Sequence, residues 1–222
     1  RATKPDMNAR WEISQHPVEP NKKTYDQGVY HPGNKHIFKT GIDPVGTMTN
    51  SRHRSYGAIA VFRTYDPLVE RAIGRVQYDD NGNMKSPWNM VTDQFVCTYS
   101  FRHDNPFFFF DDCLRTLVYY GSLGHLEEGI QYVENAFRDN GFIGYLQRKP
   151  KELGATKGRM QFGTKATNDI ISTYVSKLKQ HLFERWYLYH HMNQLQDMRL
   201  FNVVNGGKRD LSVASGYALL AD

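Results

Sequence analysis

Three acidic residues stand at the ends of hydrophobic segments, where their chemistry could be put to use. Asp43 follows the strand-like run Ile37-Phe38-Lys39-Thr40-Gly41-Ile42 and precedes Pro44. Glu134 closes Gly129-Ile130-Gln131-Tyr132-Val133 and precedes Asn135, and Asp210 opens a helix-like run that ends at Leu220. Carboxylates at the ends of buried elements can converge although they are far apart in sequence. Three of them form a hard-oxygen set suited to Mg²⁺ or Mn²⁺. A pair of such ions, about 3.5–4 Å apart, is a standard way to cut a phosphodiester. The expectation is a metal-dependent nuclease in which Asp43, Glu134 and Asp210 are both the metal ligands and the catalytic residues. Each has a plainer role open to it. Asp-Pro favours turns, a strand-end Glu can simply face solvent, and an acid at a helix N-terminus is favoured by the dipole. Asp104, Asp111 and Asp197 are the reserve candidates. Glu127 and Glu128, in a less apolar setting, read as surface charges.

A second constellation is basic. Arg148, Lys149, Lys151, Lys157, Arg159 and Lys165 lie in a stretch with Gly154, Gly158 and Gly163 and no periodicity. Such a loop following the Glu134 segment suits sequence-blind contact with DNA phosphates, although a solvated surface loop would have the same composition. The nine histidines show no His-Glu-x-x-His pattern. His190-His191 reads as a helix-end pair, and His53 is the histidine best placed to contact phosphate. Phe107–Phe110 and the tyrosines read as core and rim packing.

Composition narrows the class. The chain has 222 residues, 40% of them hydrophobic and 14% aromatic, enough for one packed domain with appendages. The net charge of +5 favours a polyanionic partner without requiring one. Cys97 and Cys113 match no zinc motif and make no disulfide framework, so a reducing cytoplasm is the simplest setting. No apolar stretch is long enough to span a membrane, and no P-loop motif occurs. The chain starts at Arg1 without a signal-like segment, which implies a fragment of a longer protein or a disordered start.

Positioning the acids requires a sheet. Residues 1–35, with Pro5, Pro17, Pro20 and Pro32, read as a linker or extended N-terminal arm. Strands are expected at Ile37–Ile42, Tyr56–Arg63, Arg71–Tyr78, Gln94–Phe101 and Ile130–Glu134. A helix follows Asn105, with Phe109, Cys113, Leu114, Leu117 and Val118 at helical spacing. Asp139–Gln147 reads as helix, Arg148–Lys165 as loop, and Thr167 as the start of a long helix. Trp186–Phe201 reads as helical or mixed, and Asp210–Leu220 as the last helix. This order predicts an α/β fold, a mixed central β-sheet with helices on both faces.

The three acidic motifs resemble those of the nuclease domain of the large terminase subunit of tailed bacteriophages, which has the ribonuclease H-like fold shared with integrases and resolvases. Gly41-Ile42-Asp43-Pro44 is similar to the motif that ends that family's first strand. Glu134-Asn135, with Asn140-Gly141 after it, is similar to the second acidic motif. Thr156-Lys157-Gly158-Arg159 and Lys165-Ala166-Thr167-Asn168-Asp169 correspond to the loop leading into a helix, and Asp210 with Val213, Ala214, Tyr217 and Ala218 to the final motif. The resemblance covers residues 36–222. Two departures are Ser55-Tyr56-Gly57, where many relatives have another Asp, and Arg209, where many have a double Asp. The resemblance implies a ribonuclease H-like domain over 36–222 and a hydrolase using one or two Mg²⁺ or Mn²⁺ ions to cut concatemeric double-stranded DNA during genome packaging. It implies as partners an ATPase motor N-terminal in the same polypeptide, the portal and the small terminase subunit. It also implies a virus-encoded protein of the host bacterial cytoplasm that is not a virion component. The rival readings are a resolvase or integrase-type nuclease of the same fold, a non-catalytic scaffold binding DNA or portal, and a mixed α/β domain whose acids are structural.

Overall fold

A computed structural model describes residues 10–17, 21–44, 57–73, 91–103, 105–128, 131–149, 162–201 and 209–222. Five strands form the main sheet: β1 (Trp11–Ile13), β4 (Phe38–Asp43), β5 (Gly57–Arg63), β6 (Gln94–Phe101) and β7 (Leu123–Leu126). Their order is β1-β6-β5-β4-β7. β4, β5 and β6 make an antiparallel meander, β1 adds antiparallel to β6 at one edge, and β7 lies parallel to β4 at the other. The parallel strand is reached through helix α2 (Pro106–Tyr120), which crosses one face. The sheet is therefore mixed, with helices on both faces, as the element order predicts.

Alternation along β5 separates the two faces. Ile59 joins Ile42, Tyr99, Phe109, Cys113 and Leu117 in the core under α2. Ala58, Ala60 and Phe62 join Ala214, Ala218, Tyr174 and Leu178 in the core under α4 (Asn168–Arg185) and α6 (Asp210–Ala221). The second face is lined with small residues so that α6 can lie close. A methyl group at Gly41 would overlap the carbonyl oxygen of Ala214 and the amide nitrogen of Ala218. Because Gly41 faces α6 while Ile42 faces α2, period-2 alternation also turns Asp43 toward α6.

Local chemistry starts the helices. The Asn105 side chain accepts from the Phe107 amide with Pro106 at the first position, and Gly121 closes α2 at φ 64°. The Thr167 hydroxyl accepts from Ile170 at the start of α4.

Several expectations are corrected. The described part of the expected arm carries β1 and a hairpin of β2 (Thr24–Asp26) and β3 (Val29–His31). Its turn uses left-handed backbone at Gln27 (φ 47°) and Gly28 (φ 82°), as a two-residue hairpin with right-handed twist requires. Tyr30 stacks on Phe142 and its amide donates to the Gly141 carbonyl, so the hairpin belongs to the domain. Arg71 lies in helix α1 (Pro67–Ile73), not a strand; residues 74–78 and the Asn81-Gly82 turn lie outside the described residues. The segment around Glu134 is helix α3 (Gln131–Asp139), with Val133 and Phe137 buried one turn apart. The expected helix from Asp139 is only a 3-10 turn at Ile143–Tyr145. Trp186–Phe201 resolves into a 3-10 turn and helix α5 (Met192–Leu200). No helix among the described residues is long and apolar enough to cross a membrane.

Candidate functional site

β4 and β7 run side by side in the same direction, with Ile42 opposite Leu126 as the last registered pair. The next residue on each is an acid, Asp43 and Glu127. Both therefore emerge at the carboxyl ends of adjacent parallel strands, the usual place for a ligand site in an open α/β sheet. His125, two residues before Glu127, packs on Tyr217 of α6, so alternation turns Glu127 toward α6 as well. Helix α6 starts at Asp210 and runs across these strands. Asp210 and Glu127 both act electrostatically on Asp43.

The electrostatics agree. Burial, then the charges of Asp210, Glu127 and Asp197, push the Asp43 carboxyl well above the usual range. Burial also raises Glu127. Glu134 is not among the charges acting on Asp43. It sits in α3 with its carboxylate 2.6 Å from the Arg138 guanidinium, an i,i+4 pair. Glu134 thus lies on a helix, and the acid that follows the parallel strand is Glu127, seven residues earlier.

Asp197 serves differently. Its Oδ2 accepts from both the Ser212 amide (2.7 Å) and the Ser212 hydroxyl (2.6 Å). This caps the first turn of α6 from α5 and holds the end that carries Asp210. Arg209 donates from Nε to the Leu200 carbonyl at 3.3 Å, a second tie between the two helices. Asp111, another reserve acid, pairs with Arg115 on α2, while Asp104 lies outside the described residues.

Tyrosines from three helices feel the acidic pocket. Tyr132 is raised by burial, Cys113 and Asp43; Tyr174 is pushed up to about 12 by burial, Asp43 and Glu127; Tyr217 is raised by burial, Glu127 and Asp43. His125 is held neutral by burial, its pKa down to about 4, and its Nε2 lies 2.9 Å from the Thr164 hydroxyl. Glu127, read from the sequence as a surface charge, and these aromatics are the neighbours of Asp43 that the sequence did not disclose, whereas Asp197 was a reserve candidate. The signal for Glu127 was the His-Leu-Glu end of a four-residue strand, too short to show a period.

The flanks of the basic stretch arrive at the same place. Thr164 bridges Glu127 in parallel, and Arg148 bridges Phe162. Arg148 and Lys165 are exposed. Lys149 is occupied, with its ammonium 2.8 Å from Glu128. Lys151, Lys157 and Arg159 lie outside the described residues, as does His53. Of the helix-end pair, His191 is the N-cap residue of α5 and is buried, while His190 is exposed.

The donor set at Asp43, Glu127 and Asp210 is all carboxylate; burial first, and the neighbouring acids second, raise Asp43, and hard oxygen donors of this kind fit a divalent cation chemically. Among the described residues no three His, Cys, Asp or Glu side chains form a group that could hold a metal ion by themselves. This is compatible with Mg²⁺, which commonly takes one or two carboxylates and completes its shell with water and substrate phosphate. The sequence matches no protein-family model and no curated protein.

Proposed function

We propose that the protein is a Mg²⁺- or Mn²⁺-dependent endonuclease of double-stranded DNA, with the ribonuclease H-like fold of the large terminase subunits it resembles. The carrying observation is the meeting of Asp43 and Glu127 at the ends of parallel neighbours β4 and β7 with the first turn of α6. An antiparallel meander followed by one parallel strand beside its first member supports the fold reading.

In this reading one or two of Asp43, Glu127 and Asp210 would hold the cation directly, with water and substrate phosphate completing its shell. When bound, it supplies an acidified water and offsets charge on the phosphate and the leaving oxygen. Asp197 keeps Asp210 in place through Ser212. Arg148 and Lys165, on the flanks of the segment that returns beside Glu127, contact the DNA backbone without reading bases. By resemblance the substrate is concatemeric phage DNA, cut for packaging in the host cytoplasm. The partners are an ATPase motor on the same polypeptide, the portal and the small terminase subunit.

The test is plasmid cleavage in Mn²⁺ or Mg²⁺ against EDTA, with four variants. Asp43→Asn, Glu127→Gln and Asp210→Asn should each lose at least about 100-fold in rate, the scale on which removing a preorganised charge from a reaction centre acts, while Glu134→Gln cuts like the wild type. Cleavage that persists in EDTA sinks the metal-dependent reading. Loss with Glu134→Gln but not with Glu127→Gln restores the acid expected from sequence. DNA binding without any cleavage favours the scaffold.

A further inference from the structure

Tyr217 stands two helical turns after Asp210 on α6, so the two residues share a face. Helical side chains lean toward the N-terminus of their helix. The Tyr217 ring therefore reaches back along α6 toward the end where Asp210, Asp43 and Glu127 meet. The residue has no solvent exposure. Its ring is wedged between His125 of β7, at 5.6 Å, and Tyr174 of α4, at 5.9 Å. His125 is itself fixed by the Thr164 hydroxyl, so the wedge leaves the ring little room to turn. Yet its hydroxyl finds no hydrogen-bond partner among the described residues.

A buried hydroxyl left unmatched is costly, because its lost hydration is not replaced. If the ring served only to fill space between α6 and β7, phenylalanine would fill it at lower cost. The nearest charged chemistry is the carboxylate pair on β7 and β4, which acts electrostatically on this phenol. At neutral pH a phenol carries its proton, and an ionised carboxylate only accepts. The pairing is complementary and has one direction.

We propose that Tyr217 is a positioning residue of the acidic site: in the working site its hydroxyl donates to the Glu127 carboxylate and fixes the direction in which that carboxylate presents its free oxygen. This rests on the metal-site reading above and adds to it an outer support from α6. Glu127 follows the four-residue strand β7 and its backbone is bridged by Thr164, so what the hydroxyl would fix is the side chain.

The experiment is Tyr217→Phe, with Mn²⁺ alone as the probe in titration calorimetry and thermal unfolding in EDTA beside it. The substitution keeps the ring and its packing, so the melting temperature should stay the same or rise. Mn²⁺ affinity should fall by about 10–100-fold, the usual cost of losing an outer partner of a metal ligand. In a Glu127→Gln background the same change should weaken Mn²⁺ binding no further, because the residue acts through Glu127. Affinity within twofold of wild type in Tyr217→Phe overturns the inference, and so does an equal loss in both backgrounds. If the wild type cuts and binds Mn²⁺ while Tyr217→Phe matches it, only this inference fails. If the wild type binds no Mn²⁺, the metal-site reading fails with it.

Discussion

Asp112 on α2 and Asp43 on β4 lie on opposite faces of the sheet and meet opposite company. Around one oxygen of Asp112 gather the Tyr99 hydroxyl at 2.7 Å, His103 Nε2 at 3.0 Å and an Arg10 nitrogen at 3.2 Å. Around Asp43 the charges that act are other acids. A carboxylate given donors and a guanidinium ties a fold together; here it joins β6, α2 and the chain entering β1. A carboxylate that is buried beside others of its own sign gains no such tie and weakens the fold when ionised. The two also differ in what covers them. The Asp112 face carries bulky aromatics, whereas on the Asp43 face the strip under α6 is small, with Gly41, Ala58 and Ala60.

The largest expected effect is on the Asp112 side. Asp112→Ala leaves Arg10 and two buried donors without their acceptor and should destabilise by about 3–5 kcal/mol. Urea unfolding measures this directly; a loss below about 1 kcal/mol, the scale of an exposed ion pair, would show that the cluster is open to water and the contrast with Asp43 unfounded.

His191 sharpens the comparison with a third way of burying an ionisable group, by keeping it neutral. Burial, helped by the neighbouring charge of His190, lowers its pKa from 6.5 to about 4. The unfolded chain then takes up the proton first. Its contribution to stability is complete above pH 6.5 and is lost as the pH falls toward 4, amounting to about 1 kcal/mol at pH 5.5. An NMR titration of the His191 ring should give a midpoint near 4. A midpoint near 6.5 would mean that the ring is hydrated.

The smallest effect has the opposite sign. The Asp43 carboxyl is raised in the folded state, so it contributes stability only when protonated and subtracts from it as the pH rises through that value. In EDTA near neutral pH, Asp43→Asn should therefore melt slightly above the wild type, and the gap should close on acidification. A lower melting temperature for the variant would put Asp43 in the same class as Asp112.

Much of this frame was legible in the residues. β4, β6 and the long helices announce themselves by period, by Asn105-Pro106 and by Thr167. For the same reason the end of β4 at Asp43 and the start of α6 at Asp210 were readable. The acid on β7 was hidden by two local coincidences. Leu123-Gly124-His125-Leu126 is too short and too poor in β-branched residues to read as a strand, and its parallel partner lies some eighty residues away. Ile130-Gln131-Tyr132-Val133 alternates like a strand, yet the spacing that matters is Val133 to Phe137, one helical turn. The hairpin at 24–31 was masked by the prolines on either side, although its Gln27-Gly28 turn could have been read.

The contact between Gly41 and α6 sets a tolerance as well as a fold. Asp43 is fixed to its strand two residues beyond Gly41, and Asp210 to its helix four residues before Ala214, with backbone resting on backbone between them. No flexible side chain lies in that contact to absorb an error. The separation of the two acids is thus inherited from helix-on-strand packing, and an extra methyl group at Gly41 would be read out as displacement of one acid from the other. Under the nuclease proposal, misplacement of about 1 Å can cost 100-fold in rate. The residue with no side chain therefore governs the accuracy of a site that it never touches.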